Sequence, residues 1–420
     1  MSPLTAAAIF LSLGPAAQVA PELEGLSTDL TVWPNVRSRA NSDPWLVQNH
    51  DNIRRMEPRI LVLNFCNGFS MEAARKKVDD LIAALAESSR FHGYENPDAP
   101  VFLQPRVAKF VDLRDPEPAK ETPDGNSTKY PRVPNWTGGI NFRYKDLYSE
   151  QFAEYYGYRD PSNPARYLRL NELVDRGIIH ELWFLAYQRS AGAPFESTER
   201  KPVYDENFKR VGNENRHSGN GGDPEEPWFG RSLRILFINA ERGVGCAMES
   251  LSHSYEGTAH SNVIPYFRKY FYEFAGFDLD KRYGLPFNSF YHLWGEGKGI
   301  SYPDPTTAIV KDGDKTYTLK DYLAIGGNVH FTPNGRGHYD LESPHPVMST
   351  IENYRLRNGP DGKDKAEPFT VDKFAKYREL AGDCMGPWLV YWRQNMPNYK
   401  SKAVDDEGKP MKNWWVFLYY

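Results

Sequence analysis

Through the first half of this chain, apolar runs of strand length alternate with segments of helical periodicity, and that alternation restricts the fold more than any other feature. RILVLNF (residues 59–65) is apolar almost throughout, as expected of a strand covered on both faces. After the turn CNGFS, Ser70 stands as N-cap of MEAARKKVDDLIAALAESS, in which Ala74, Val78, Leu81, Ile82 and Leu85 recur at helical spacing. PRVAKFVDLRD (105–115) alternates, which completes a β-α-β unit. Helices are expected over 148–156 and 170–177, and strands over 59–65, 105–113, 180–187 and 232–239. The pattern predicts an α/β fold with a doubly wound, mostly parallel sheet. Ligands of such sheets bind beyond the carboxyl ends of the strands, which here places residues 64–69, 112–115, 187–199 and 239–242 on one rim. Residues 188–229 are polar and glycine-rich and read as one long loop, a length that in a compact domain marks function or mobility.

After Pro265 the periodicity fades into aromatic, glycine-rich sequence that ends in NWWVFLYY. The expected organisation is a signal peptide (1–20), an irregular arm (21–57), an α/β core (58–264) and an aromatic, loop-rich C-terminal part (265–420) packed on that core. The apolar stretch 4–13 suits a secretory signal and is too short to span a bilayer. It predicts a secreted or periplasmic protein, and no later run is long enough for a transmembrane helix. The net charge of −4 and the lack of any basic block argue against nucleic-acid binding. The 26 Tyr and 10 Trp suit a small-molecule or glycan partner, although large cores use aromatics equally well. Three cysteines are too few for a disulfide scaffold, and Cys66 and Cys246 read as small buried hydrophobes.

The densest chemistry follows the strand LRILFINA. Glu249, His253, Glu256 and His260 fall at steps of four, three and four, and at roughly 100° per residue they share one helical stripe. Arg242 lies two turns earlier, with Glu241 beside it. Charged residues at this spacing are often only a solvated face, and Gly257 offers a place for the helix to end before His260. Carboxylates beside imidazoles also suit acid/base work and divalent metal binding. The outer two residues of the stripe are about 16 Å apart along the axis. A single ion would therefore use a neighbouring subset such as His253 and Glu256, completed by Glu196 and His330.

Other motifs fail on inspection. AERGVGCAMES follows a strand and opens a helix, as a dinucleotide fingerprint does, but Met248 stands where the third glycine belongs. GEGKG (295–299) lacks the final Ser or Thr of a phosphate loop. No Gly-x-Ser-x-Gly elbow occurs, and His180-Glu181 does not extend to HExxH.

In IIHELWFLAY, AERGVGCAMESLSHSYEG, GGNVHFTPNGRGHYD and NWWVFLYY the chain resembles a family of secreted bacterial α/β proteins that carries no established activity. The likeness runs from about residue 58 to the end. It implies site positions at Glu196-Ser197, Glu241-Arg242, Glu249, His253, Glu256 and His330, and no reaction; His260 and Cys66 lie outside its pattern. RILVLNFCNGFS is also loosely similar to the start of glutamine-amidotransferase-like sugar-modifying proteins, over a few dozen residues.

The expectation is a secreted hydrolase-like enzyme acting on a polar substrate, carbohydrate foremost. Glu249, Glu256, His253, Arg242 and Glu241 would be catalytic, Glu196 and His330 would bind substrate, and a divalent metal ion is the cofactor to test for. The alternative is a non-catalytic envelope or glycan-binding protein whose stripe is a buried, fully paired charge network.

Overall fold

The computed structural model describes residues 25–188 and 192–420. The expected signal segment, residues 1–20, lies outside the described residues. Among those described, no helix is long and apolar enough to cross a membrane.

The chain is α/β, built on a six-stranded, mostly parallel sheet. In chain order its elements are β1 (Arg59–Asn64), α1 (Met71–Ser88), β2 (Arg106–Asp112), α2 (Glu150–Tyr156), α3 (Leu170–Asp175), β3 (Glu181–Ala186), β4 (Ser197–Tyr204), β5 (Arg210–His217), β6 (Leu233–Asn239) and α4 (Val244–His260). The sheet order is β2-β1-β3-β6-β4-β5. The four strands expected from the sequence are parallel neighbours, with Val62 opposite Trp183 and Trp183 opposite Leu236. The three inner strands β1, β3 and β6 alternate between two cores. Ile60, Val62, Trp183, Leu185, Leu236 and Ile238 face α1 and α4. Leu61, Leu63, Leu182, Phe184, Ile235 and Phe237 face Phe152 of α2 and Leu170 of α3. Covering on both faces is what makes these strands read as unbroken apolar runs.

The stretch 188–229 is not one loop. It contains β4 and β5, an antiparallel hairpin that extends the sheet beyond β6. Its inner strand carries charge, so it shows no apolar alternation: Glu199 and Lys201 are buried, and Glu199 pairs with Arg234 at 3.3 Å. Arg234 also meets Glu181 at 3.2 Å, and Tyr419 donates to Glu181 at 2.8 Å. Lys201 Nζ donates to the Leu418 carbonyl at 2.9 Å. This fully desolvated network fastens the aromatic residues 414–420 to the sheet, and charge pairs of this kind are costly to break singly.

After α4 come α5 (Pro265–Ala275), the antiparallel meander β7 (Lys298–Asp304), β8 (Thr307–Asp312) and β9 (Lys315–Leu319), and α6 (Gly386–Gln394). The meander was not apparent from the sequence. Helices α5 and α6 pack on α4, and α6 also packs on α1, so residues after 265 share a hydrophobic cluster with the sheet.

Candidate functional site

Three features set the position of α4. Its first turn has no side-chain cap of its own. Asp383, from the loop before α6, supplies one: Oδ2 accepts the Gly243 N–H at 2.8 Å and Oδ1 the Gly245 N–H at 2.7 Å. A carboxylate there also meets the positive end of the helix dipole, a contribution of about 0.5–2 kcal/mol. A Cβ on Gly245 would sit 2.0 Å from the Asp383 carbonyl oxygen, so this approach requires glycine. Next to Asp383, Cys384 is bonded to Cys246 in a disulfide. Cys246 is therefore a crosslink and not the small buried hydrophobe expected, while Cys66 is buried and takes no part in a disulfide. Gly257 does not end the helix, which continues to His260. It lets α4 pass against the Ser218 carbonyl, where an added Cβ would lie 1.8 Å from the oxygen.

Beyond the carboxyl ends of β3 and β6, and over the start of α4, lies a cavity of about 490 Å³, within the range of small-ligand sites. Gln188, Asn239, Arg242, Glu196, Glu249, Ser250 and Tyr339 provide its polar lining, and the disulfide forms part of its wall. Asn220 Nδ2 donates to Glu196 at 2.7 Å and Ser250 Oγ at 3.3 Å. Arg242 makes no ion pair among the described residues; its guanidinium rests 3.7 Å from Cys246 Sγ. Glu241 is on the rim, accepting the Gln188 N–H at 3.2 Å, and is not among the cavity-lining residues.

Behind Glu249 the stripe becomes a connected polar cluster. Glu249 Oε1 accepts from Tyr339 Oη at 2.7 Å and lies 3.1 Å from His330 Nε2. His330 Nε2 is also 3.2 Å from His253 Nε2. The other nitrogen of His253, Nδ1, is 2.7 Å from Glu256 Oε2. Glu256 is held in turn by Tyr291 Oη at 3.0 Å and the Val329 N–H at 3.1 Å. The expected pair His253–Glu256 is thus a hydrogen-bonded pair, with Glu256 facing away from the point where Glu249, His253 and His330 converge. His260 turns back to the Glu256 carbonyl at 2.6 Å and takes no part.

Burial opposes ionisation of Glu249, but hydrogen bonds from His330 and Tyr339 outweigh it and hold its pKa below the ordinary value. The same balance favours charge at Glu256, where burial is overcome by His253 and the Val329 N–H. At His253 burial is overcome by the Glu256 carboxylate, so its pKa is raised. His338, packed by His330 and Tyr291, is lowered to about 4, chiefly by burial and further by its neighbour His330.

Two groups of side chains have metal-ligand spacing among the described residues: Glu249, His253 and His330, and Cys246, Asp383 and Cys384. The second already contains the disulfide. Tyr339, Tyr291, Asn220 and Asp383 were not foreseen. Tyr339 lies in the same GNVHF-to-GHYD segment as His330, nine residues on, but no periodicity links either to the helix. Comparison with known protein families, with curated proteins and with solved structures gives no match.

Proposed function

We propose that this chain is an exported hydrolase-like enzyme on a doubly wound sheet, acting on a polar substrate of the carbohydrate class. The observation that carries this reading is the cavity at the carboxyl rim, into which Glu249 and Glu196 both open while Arg242 has no carboxylate partner among the described residues. A sealed structural network would be fully paired; here Glu249 Oε2 is buried with no partner among the described residues. The molecule's closed charge network lies elsewhere, at Glu181, Arg234, Glu199 and Lys201.

In this reading water is activated where Glu249, His253 and His330 converge, and Glu249, kept as a carboxylate, is the acceptor that orients it and takes its proton. Glu196 is the second carboxylate on the wall, Arg242 clamps an anionic substituent, and Gln188 and Asn239 offer amides to hydroxyls. Proton transfer of this kind is worth about 10²–10⁴-fold in rate. Export is supported by the apolar stretch 4–13 and by the Cys246–Cys384 disulfide, a bond that persists in oxidising compartments. The resemblance to secreted α/β proteins agrees with export and adds no reaction.

The test is a screen of the purified chain against oligosaccharide, uronate and ester panels, with Arg242→Ala beside the native chain. Hydrolysis of a sugar substrate, with KM raised in R242A for anionic members, supports the reading. Hydrolysis confined to non-sugar esters, or none at all, counts against it.

A further inference from the structure

We propose that Glu249, His253 and His330 form a binding site for one divalent transition-metal ion of the zinc class. The proposal shares residues with the hydrolytic reading but does not depend on it, since metal binding is measured without turnover.

The first argument is distance. Ligands about 2.0–2.1 Å from a tetrahedral zinc ion lie about 3.3 Å from one another. The two imidazole Nε2 atoms are 3.2 Å apart, and His330 Nε2 is 3.1 Å from Glu249 Oε1. Two neutral imidazoles and a carboxylate are also a ligand set that borderline divalent ions prefer.

The second argument is hydrogen-bond accounting. His330 Nε2 is approached by His253 Nε2, Glu249 Oε1 and Tyr339 Oη, the last at 3.1 Å. A ring nitrogen has either one proton or one lone pair, so it satisfies only one of the three. Meanwhile Glu249 Oε2 is buried without any partner among the described residues. A cation at the point of convergence would use both Nε2 lone pairs and the carboxylate together.

The third argument is the shell behind the ligands. Metal-bound histidines donate their other N–H to a carboxylate or carbonyl, which fixes the tautomer. His253 meets this requirement: Nδ1 bonds Glu256 at 2.7 Å, and Glu256 is fixed by Tyr291 and the Val329 N–H. That arrangement leaves Nε2 of His253 as the lone pair aimed at Glu249 and His330. Glu249, Glu256 and Glu196 also give the surroundings an acidic excess. Tyr339 Oη, 2.7 Å from Glu249 Oε1, closes the cluster on the cavity side.

The test uses the full chain, stripped with chelator and titrated calorimetrically with zinc chloride, then loaded with cobalt(II) for absorption spectroscopy. The expected result is one ion per chain, affinity reduced at least 100-fold in His253→Ala and His330→Ala, and reduced about 10–100-fold in Glu256→Gln. Ligand-field bands of cobalt bound to nitrogen and oxygen, without a sulfur charge-transfer band, identify the site in the native chain even if an alanine variant fails to fold. Absence of stoichiometric binding overturns the proposal. So does a sulfur charge-transfer band, or binding lost in Cys384→Ser but retained in His253→Ala, because either places the ion at Cys246 and Cys384.

Discussion

Glu256 holds His253 by its inner nitrogen: Oε2 lies 2.7 Å from Nδ1, so Nε2 is the atom presented to His330 and Glu249. Glu256 is thereby a positioning residue, and replacing it should affect the site more than the fold. Glu256→Gln keeps the shape but loses the charge, and turnover of whatever substrate the screen yields should fall about 10–100-fold. Tyr291→Phe, which removes one of the donors to Glu256, should cost less. Unchanged turnover in E256Q would mean that His253 does not depend on this contact.

The Cys246–Cys384 disulfide joins residues 138 apart in sequence and fixes the start of α4 to the loop before α6. Crosslinks closing long loops stabilise by roughly 2–5 kcal/mol. Cys384→Ser should therefore unfold at lower urea than the native chain, and native protein kept in reductant should move toward the variant. Coincident unfolding curves for all three would show that Asp383 and the surrounding packing hold this junction without the bond.

Three of the four parallel strands, β1, β3 and β6, were legible because both faces of each are covered, and the edge strand β2 because its polar and apolar residues alternate. The hairpin β4–β5 was not legible, for the opposite reason. Its inner strand spends buried positions on Glu199 and Lys201, and its outer strand is an edge carrying Gly212, Asn213 and Glu214. In the site, helical spacing alone placed Glu249, His253 and Glu256 on one face. It could not reveal that Glu256 faces inward, nor that His330 and Tyr339 meet Glu249 from 81 and 90 residues away. Those contacts depend on how a loop of the C-terminal part lies against α4, which no local periodicity encodes. The disulfide was missed because two cysteines so far apart have no local signature of pairing.

Gly257 is a mid-helix glycine, and on propensity alone Gly257→Ala would stabilise by about 1 kcal/mol. The Ser218 carbonyl oxygen would stand 1.8 Å from the new Cβ, and it is backbone. Overpacking costs typically about 1–3 kcal/mol and sometimes more, so the clash should win and the urea midpoint should drop. A variant more stable than the native chain would mean that the β5 end shifts away from α4 at little cost.

Acid should weaken the fold through its buried histidines. His180 is wedged between backbone groups, accepting the Arg59 N–H at 2.9 Å through Nδ1 and donating through Nε2 to the Arg39 carbonyl. Burial lowers its pKa from 6.5 to about 3, and His50, also buried, is lowered to about 3. The unfolded chain takes up these protons near pH 6.5, whereas the folded chain does so only near pH 3. Stability is therefore fully present above pH 6.5 and is lost as pH falls toward 3, by at most about 1.4 kcal/mol per pH unit for each group. His180→Gln should start less stable at pH 7 and lose less between pH 7 and 5. Parallel losses in variant and native chain would exclude His180 as a source of the slope.

Glu249 is the residue on which the functional reading converges, because it opens on the cavity and also joins the His253–His330 cluster. The most direct measurement is steady-state hydrolysis by Glu249→Gln of the best sugar substrate from the screen, with circular dichroism confirming the fold. The account predicts that kcat falls at least about 100-fold, within the range of acid/base groups, while the unfolding midpoint stays close to native. A correctly folded E249Q that turns over at the native rate would contradict it.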